Sequence, residues 1–270
     1  QLDVIYYSKP RADREYWLFE MGNVNVISLR FDLYAASLIY FLSDVQAFLE
    51  DWKFARFIEC QVLLKRNPTE PRTIPLSLMR HLAEMRDFIK QRGARLILAG
   101  GTLLGWYREC SLIPHTPDID FFIRAEEYSP SILADLDSRW SSYNVLRIFG
   151  TPIDSYELTL NVKKARIGDY NNIDIFFLYT NAIESYVGGL DWNSRKKYKW
   201  SYPRMDSFCT ADLLGHLFHV PCNPKEVLDK EYGNWQQDSP TADFVWYKTH
   251  RNVKENGEYT PNEMKGMRTF

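Results

Sequence analysis

Two aspartates, Asp118 and Asp120, flank one isoleucine in DIDFFI and run straight into an apolar segment. Side chains two apart on a strand point to one face. The two carboxylates therefore repel each other unless a cation lies between them, and carboxylate oxygens suit Mg²⁺ or Mn²⁺. A third acid, Asp174, sits inside the apolar stretch NIDIFF, Asn172 to Phe177, where a lone carboxylate is costly unless paired or metal-bound. Upstream, Gly100, Gly101 and Thr102 follow the apolar RLILA and open a helical segment. Glycine lets a backbone close on a phosphate, and a helix N-terminus offers N–H donors to it. No G-x-x-x-x-G-K-[ST] is present, so this is not a P-loop. Each part alone is common. A glycine turn onto a helix, a two-acid strand and a third acid on another strand form a specific triplet. It points to metal-assisted chemistry on a phosphate-linked substrate.

The elements that must hold these residues are partly legible. Leu78, Leu82, Met85 and Ile89 make one apolar stripe, which predicts a helix over Pro75–Arg92 with Gly93 behind it. RLILA predicts a strand, and a second helix starts near Thr102. DIDFFI is the next strand, followed by a helix over 129–142. YELTLNVKKARI and the stretch from Ile173 to Tyr179 read as two more strands. Helices are expected near 210–218 and 224–232. Ahead of all this, Val24–Phe31 reads as extended and Ser43–Cys60 as helical, and Asn67–Pro71 carries two prolines in a linker-like run. The expectation is a small N-terminal α/β module at 1–66 and a mixed α/β catalytic domain at 70–270 that contains the whole site.

Composition narrows the function classes. The chain has 270 residues and a net charge of −2, which argues against a general nucleic-acid binder. Four cysteines form no C-x-x-C pair; they permit disulfides without demanding them, and zinc is not expected. No 18-residue apolar run and no signal peptide are visible. The chain begins at Gln1 and not at Met, so it reads as a processed or truncated form.

The motifs GTLLGWYR (101–108), IPHTPDID (113–120) and IDIFF (173–177) resemble the LicD and fukutin family of phosphosugar and phosphocholine transferases, within the nucleotidyltransferase fold of the DNA polymerase β type. The tail adds KKYK (196–199), Pro203-Arg204, Val220-Pro221-Cys222 and EYGNW (231–235) in the family's order. Many bacterial relatives carry a further Asp just before the D-x-D; Pro117 stands there in this chain, leaving one metal ligand fewer. The resemblance implies transfer of an alditol phosphate or phosphocholine from a CDP-linked donor to a sugar hydroxyl of a glycoprotein glycan, with release of CMP. It implies Asp118, Asp120 and Asp174 as metal ligands and catalytic acids, with Asp174 taking the acceptor's proton. It also implies a secretory-pathway lumen, the Golgi above all, with a membrane anchor outside this chain. The number of copies in the assembly is left open.

Other residues are candidates for substrate contact. Arg108 lies one to two turns beyond the glycines and suits a phosphate grip alongside Gly100, Gly101 and Thr102. Lys163, Lys164, Lys197 and Lys199 suit an anionic donor or acceptor. Tyr232 and Trp235 suit stacking platforms. His115 precedes Asp118 and stands near enough in sequence to touch substrate. His216 and His219 read as satisfied or surface histidines and not as metal ligands. A nucleotide-sugar glycosyltransferase would explain the D-x-D but not the glycine turn or Asp174. A non-catalytic scaffold would not need three acids.

Overall fold

Short extended segments open the described chain. Leu18–Met21 (β1) pairs with Val24–Ile27 (β2), and Leu33–Ala36 (β3) pairs with Ile39–Leu42 (β4). Helix α1 follows at Val45–Trp52. The structure, a computed structural model, describes residues 18–21, 24–27, 33–36, 39–42, 45–163, 172–238 and 245–269. The helix expected over Ser43–Cys60 stops at Trp52 because the next residues are drawn into the main core. Phe54 stacks on Phe208 with ring centroids 6.4 Å apart, Phe57 bridges to Thr210, and Cys60 is disulfide-bonded to Cys110. Packing thus continues up to the proline-rich stretch, where Arg66 bonds Glu109 at 2.8 Å and Asp238 at 2.6 Å.

The apolar stripe does form a helix, α2 (Met79–Lys90), led by a 3-10 turn at Leu76–Leu78. Leu82, Met85 and Ile89 are fully buried. The next elements are β5 (Ile97–Leu98), α3 (Gly100–Glu109), β6 (Asp118–Arg124) and α4 (Pro130–Leu136). Helix α4 is shorter than the expected 129–142. The chain turns out of it into β7 (Tyr143–Phe149), a strand the sequence did not announce. Strands β8 (Glu157–Val162) and β9 (Asn172–Thr180) fall where expected.

The second half is more β-rich than its sequence suggests. β10 (Glu184–Asp191) and β11 (Lys196–Pro203) form a long hairpin, and β12 (Phe208–Leu213) and β13 (His216–Pro221) form another. The second hairpin replaces the helix expected near 210–218. Leu214 and Gly215 take φ of 55° and 89°, the two-residue turn with positive φ that matches strand twist. The Cys209–Cys222 disulfide spans the hairpin's open end. Helix α5 (Pro224–Glu231) is as expected, followed by α6 (Trp246–Thr249), β14 (Val253–Glu258), α7 (Pro261–Met264) and β15 (Arg268–Thr269).

Among the described residues, eleven strands make one sheet, with β12-β13-β5-β6-β9-β10-β11-β14 as its main path. β6 and β9 run parallel at the centre. The other edge of β9 is shared: β8 and then β7 branch from its first half, and β10 takes over near its end. Helix α3 packs on β6 and α2 on β13. The result is a mixed α/β domain whose central parallel pair carries all three aspartates.

Candidate active site

The parallel pair is in register, so strand alternation lays the residues of one sheet face out in rungs. Asp118 lies opposite Asn172. Asp120 lies opposite Asp174, then Thr159, then Arg147. Phe122 lies opposite Phe176, then Glu157, then Phe149. Apart from Thr159, which is fully buried, these residues floor a cavity of about 700 Å³. One ligand oxygen from each of Asp118, Asp120 and Asp174 lies within 4.8 Å of the others. Three carboxylates at such separations form an oxygen donor set that fits a hard divalent cation.

Electrostatics agree with an unmet need for positive charge. Burial pushes Asp120 well above the ordinary aspartate range, and the neighbouring Asp118, Asp174 and Glu231 push it further. Burial raises Asp174 to about 6, against a hydrogen bond from Thr159 that favours the ionised form. Asp118 is raised by burial while Thr116 Oγ1 donates to it at 3.0 Å.

The glycine turn serves the acids directly. A Cβ on Gly100, whose φ is 45°, would stand 2.7 Å from Asp120 Oδ2. The Gly101 N–H donates to that same oxygen at 2.9 Å. Thr102 Oγ1 accepts from the Asp120 backbone N–H at 2.8 Å and is buried. Thr102 is therefore a strut for the D-x-D strand and has no surface to offer a phosphate, whereas Gly100 and Gly101 do line the cavity.

Arg108 lines the cavity too, but its side chain is committed to partners within the protein. Its guanidinium is buried and bonded within the protein: to Glu109 Oε1 at 2.9 Å through Nε, and to the carbonyls of Trp235 and Gln237 at 3.1 Å through Nη1. It anchors the cavity wall formed by residues 235–238, with Arg66 bridging Glu109 and Asp238 from behind. Tyr232 and Trp235 do stand in that wall. Tyr232 meets His250 edge-on at 5.0 Å; Trp235 is held by its Nε1 donating to Asp229 at 2.7 Å and by the Tyr107 ring at 5.4 Å. His115 lies at the cavity rim with Nε2 3.9 Å from Asp238.

Lys197 and Lys199 do not join the acids. On β11 Trp200 and Tyr202 line the cavity; Lys197 and Lys199 line a separate small pocket. Lys197 pairs with Glu263 at 2.7 Å and Lys199 with Glu184 at 2.5 Å. Lys163 lies just beyond β8, bonded to the Ser138 carbonyl at 3.4 Å. Lys164 lies outside the described residues. His219 lies beside Phe54 and 3.4 Å from Thr210 Oγ1, and burial holds its imidazole down at about 3. His216 and His219 lie on strand β13 and not on a helix.

Sequence reasoning missed three groups that line the cavity, Arg147, Glu157 and Glu231, and one buried beneath it, Thr159. Arg147 stands 3.8 Å from Asp174 Oδ1. Glu157 is pushed up to about 8 by burial and by Asp174. Glu231, at the end of α5, is pushed up to about 8 by burial, and one of its oxygens has no hydrogen-bond partner. Thr159 Oγ1 donates to Asp174 at 2.5 Å. The available signal was parity: Glu157 and Thr159 are two apart on a strand adjoining Asp174.

A family model described as LicD/FKTN/FKRP, nucleotidyltransferase domain, matches residues 93–223, the span that holds the glycine turn and all three aspartates. Another, described as W02B3.4-like, N-terminal domain, matches residues 1–59. Two Caenorhabditis elegans proteins, the uncharacterized T07A5.1 and W02B3.4, are 36% and 35% identical over 95% and 98% of this chain and 69% of each of their own. The human ribitol-5-phosphate transferase FKTN is 29% identical over 82% of this chain, which spans 48% of its length. The kinship and the acidic site together define a nucleotidyltransferase class of domain. The chain belongs to the LicD/FKTN/FKRP family.

Proposed function

We propose that this protein is a metal-dependent transferase that moves ribitol 5-phosphate, or a similar alditol phosphate, from a CDP-linked donor to a sugar hydroxyl of a glycoprotein glycan. The observation that carries this reading is the Asp118–Asp120–Asp174 cluster set against the N-terminus of α3, in a chain related to an enzyme named for ribitol-5-phosphate transfer. A glycine turn, a two-acid strand and a third acid on a parallel neighbour support a DNA polymerase β-type nucleotidyltransferase arrangement.

In this reading Asp118 and Asp120 hold Mg²⁺ or Mn²⁺, with Asp174 completing the set. When bound, the cation offsets the charge of the donor pyrophosphate and of the departing CMP. The acceptor hydroxyl oxygen forms a bond to the phosphorus next to the alditol, the bond from that phosphorus to the CMP oxygen breaks, and the hydroxyl proton passes to Asp174. Gly100 and Gly101 leave room for phosphate oxygens at the cavity floor. Among the described residues, none of 45–66 lines the cavity, which supports placing the whole site in 70–270. The two disulfides suit an oxidising compartment, in line with a secretory-pathway lumen such as the Golgi.

A second reading, phosphocholine transfer, is favoured by one corner of the cavity. Trp200 and Trp246 lie 5.0 Å apart there, beside Tyr232 and the buried Glu231. Aromatic faces with a carboxyl suit a quaternary ammonium. A melting series with CDP-ribitol, CDP-choline and UDP-sugars, each with and without Mn²⁺, separates the two. Ligand at about 100 times its Kd stabilises the fold by about 2.7 kcal/mol. The expected result is the largest metal-dependent shift for CDP-ribitol. A shift for CDP-choline alone supports the second reading, and one for a UDP-sugar alone defeats both.

A further inference from the structure

The three rungs of the cavity floor differ in kind. The first two carry the aspartates. The third is a row of rings, Phe122, Phe176 and Phe149, interrupted by one acid, Glu157. Phe176 is the half-buried ring of this row, while Phe122 and Phe149 are buried; Trp192, outside the cavity lining, backs Phe149 with centroids 5.3 Å apart and planes 15° from parallel. Rings of this kind take the C–H faces of sugars and polyols, which are apolar between their hydroxyls.

Glu157 is the odd group in that row. It lines the cavity but is not part of the three-acid cluster. Each clustered aspartate already has an internal donor: Thr116 for Asp118, the Gly101 N–H for Asp120, and Thr159 for Asp174. Among the described residues the Glu157 carboxyl has no hydrogen-bond donor; its charged neighbours are Asp174 and Arg147. A half-buried polar group without a partner is costly, and the cost is relieved when a ligand supplies hydroxyl donors. A carboxyl can accept from two adjacent hydroxyls at once. One rung along a strand is about 6.6 Å, so Glu157 stands a few carbon–carbon bonds beyond the atoms that react at the aspartates.

We propose that Glu157 is a specificity-determining contact that binds the hydroxyl groups of the polyol or sugar lying on the aromatic rung. This deepens the proposed function and rests on it. The hydroxyls belong either to the alditol of the donor or to the acceptor sugar, and the chemistry of recognition is the same for both.

The test compares wild type with Glu157→Leu, which keeps bulk and removes both oxygens, and Glu157→Gln, whose amide still donates and accepts. Affinities for CDP, CDP-ribitol and CDP-choline are measured by calorimetry with Mn²⁺, and KM is measured for a panel of methyl glycoside acceptors. Loss of one or two hydrogen bonds to such a group corresponds to about a 10- to 100-fold effect. If the donor polyol is bound, E157L weakens CDP-ribitol by that factor while CDP and CDP-choline keep their affinities. If the acceptor is bound, all three nucleotides keep their affinities and the glycoside KM rises by that factor. In either case E157Q stays within about threefold of wild type. The proposal is overturned if E157L changes none of these values, if it weakens CDP or CDP-choline as much as CDP-ribitol, or if E157Q falls with E157L. Saturation-transfer NMR with free ribitol and methyl galactoside needs no turnover and separates the two failures. A wild-type protein that binds no CDP-linked donor defeats the proposed function. Equal ribitol and galactoside signals in wild type and E157L defeat the role of Glu157.

Discussion

At the scale of single residues, the three aspartates hold each other at an energetic disadvantage that a cation removes. Asp118→Asn or Asp120→Asn is expected to abolish transfer while raising the melting temperature of the metal-free protein, since one like-charge repulsion is relieved. Each 1 kcal/mol gained moves the midpoint by about 2–4 °C in a domain of this size. The Mn²⁺-dependent shift expected of the wild type should vanish in both variants, and differential scanning calorimetry with and without the ion checks it. Thr159→Val probes Asp174 without touching its charge. The Thr159 hydrogen bond favours the ionised carboxyl, so its loss raises the pKa from about 6. In the metal-free protein the Asp174 carboxyl, followed by NMR, should then titrate at higher pH by about one to two units; a midpoint that stays or moves down excludes the Thr159 hydrogen bond as a support of the ionised carboxyl. The aspartates were legible because acids inside apolar strands are conspicuous. Lys197 and Lys199 were misplaced because on a strand a one-residue change of parity decides the face. Trp200 lines the large cavity, so Lys199 beside it lines the small pocket, which no charge count could show. Glu157 stayed hidden because its row exists only once β7, β8, β9 and β6 are in register.

At the scale of elements, the tightest fit is the start of α3 against β6. Gly100→Ala would press a methyl to within 2.7 Å of Asp120 Oδ2 and hold alanine at a φ of 45°. It should cost roughly 1–2 kcal/mol from the left-handed backbone alone and should weaken Mn²⁺ binding by displacing Asp120. Gly93→Ala is the control: its φ is also positive, at 83°, but nothing lies within 4 Å of the added carbon. It should lose a similar amount of stability and keep full metal affinity, as calorimetry and a Mn²⁺ titration would show. Helix α2 was readable from its stripe, and β6 and β9 from their apolar runs. The β12–β13 hairpin was not, because Ala211, Leu214 and Phe218 recur at helical spacing and only Gly215 punctuates them. Strand β7 was obscured in the same way, lying directly behind a helix whose end carries no glycine or proline.

At the scale of the whole molecule, two covalent links tie distant parts together. Cys60–Cys110 spans 50 residues and joins the segment before α2 to the end of α3; Cys209–Cys222 spans 13. By chain entropy the two contribute about 4 and 3 kcal/mol. Cys60→Ser with Cys110→Ser should therefore lower the midpoint by roughly 8–16 °C, and Cys209→Ser with Cys222→Ser somewhat less, read by thermal melts of the folded variants. The cysteine count alone permitted these bonds without assigning them. Only the approach of the α3 end to residue 60, with Gln61 N–H donating to the Tyr107 carbonyl at 2.8 Å, makes the first pairing possible.

The parallel pairing of β6 with β9 has a consequence for how the molecule comes into being. A hairpin such as β12–β13 closes between near neighbours on the chain, but Asp120 and Asp174 meet only after the intervening α4, β7 and β8 have found their places. Contacts of such long sequence separation form late. An immature chain in the compartment where it is made has no cation trap to offer, however much hairpin it already contains. On the proposed reading, Mn²⁺ binding would mark a mature chain, and in refolding it should lag behind recovery of β-sheet circular dichroism.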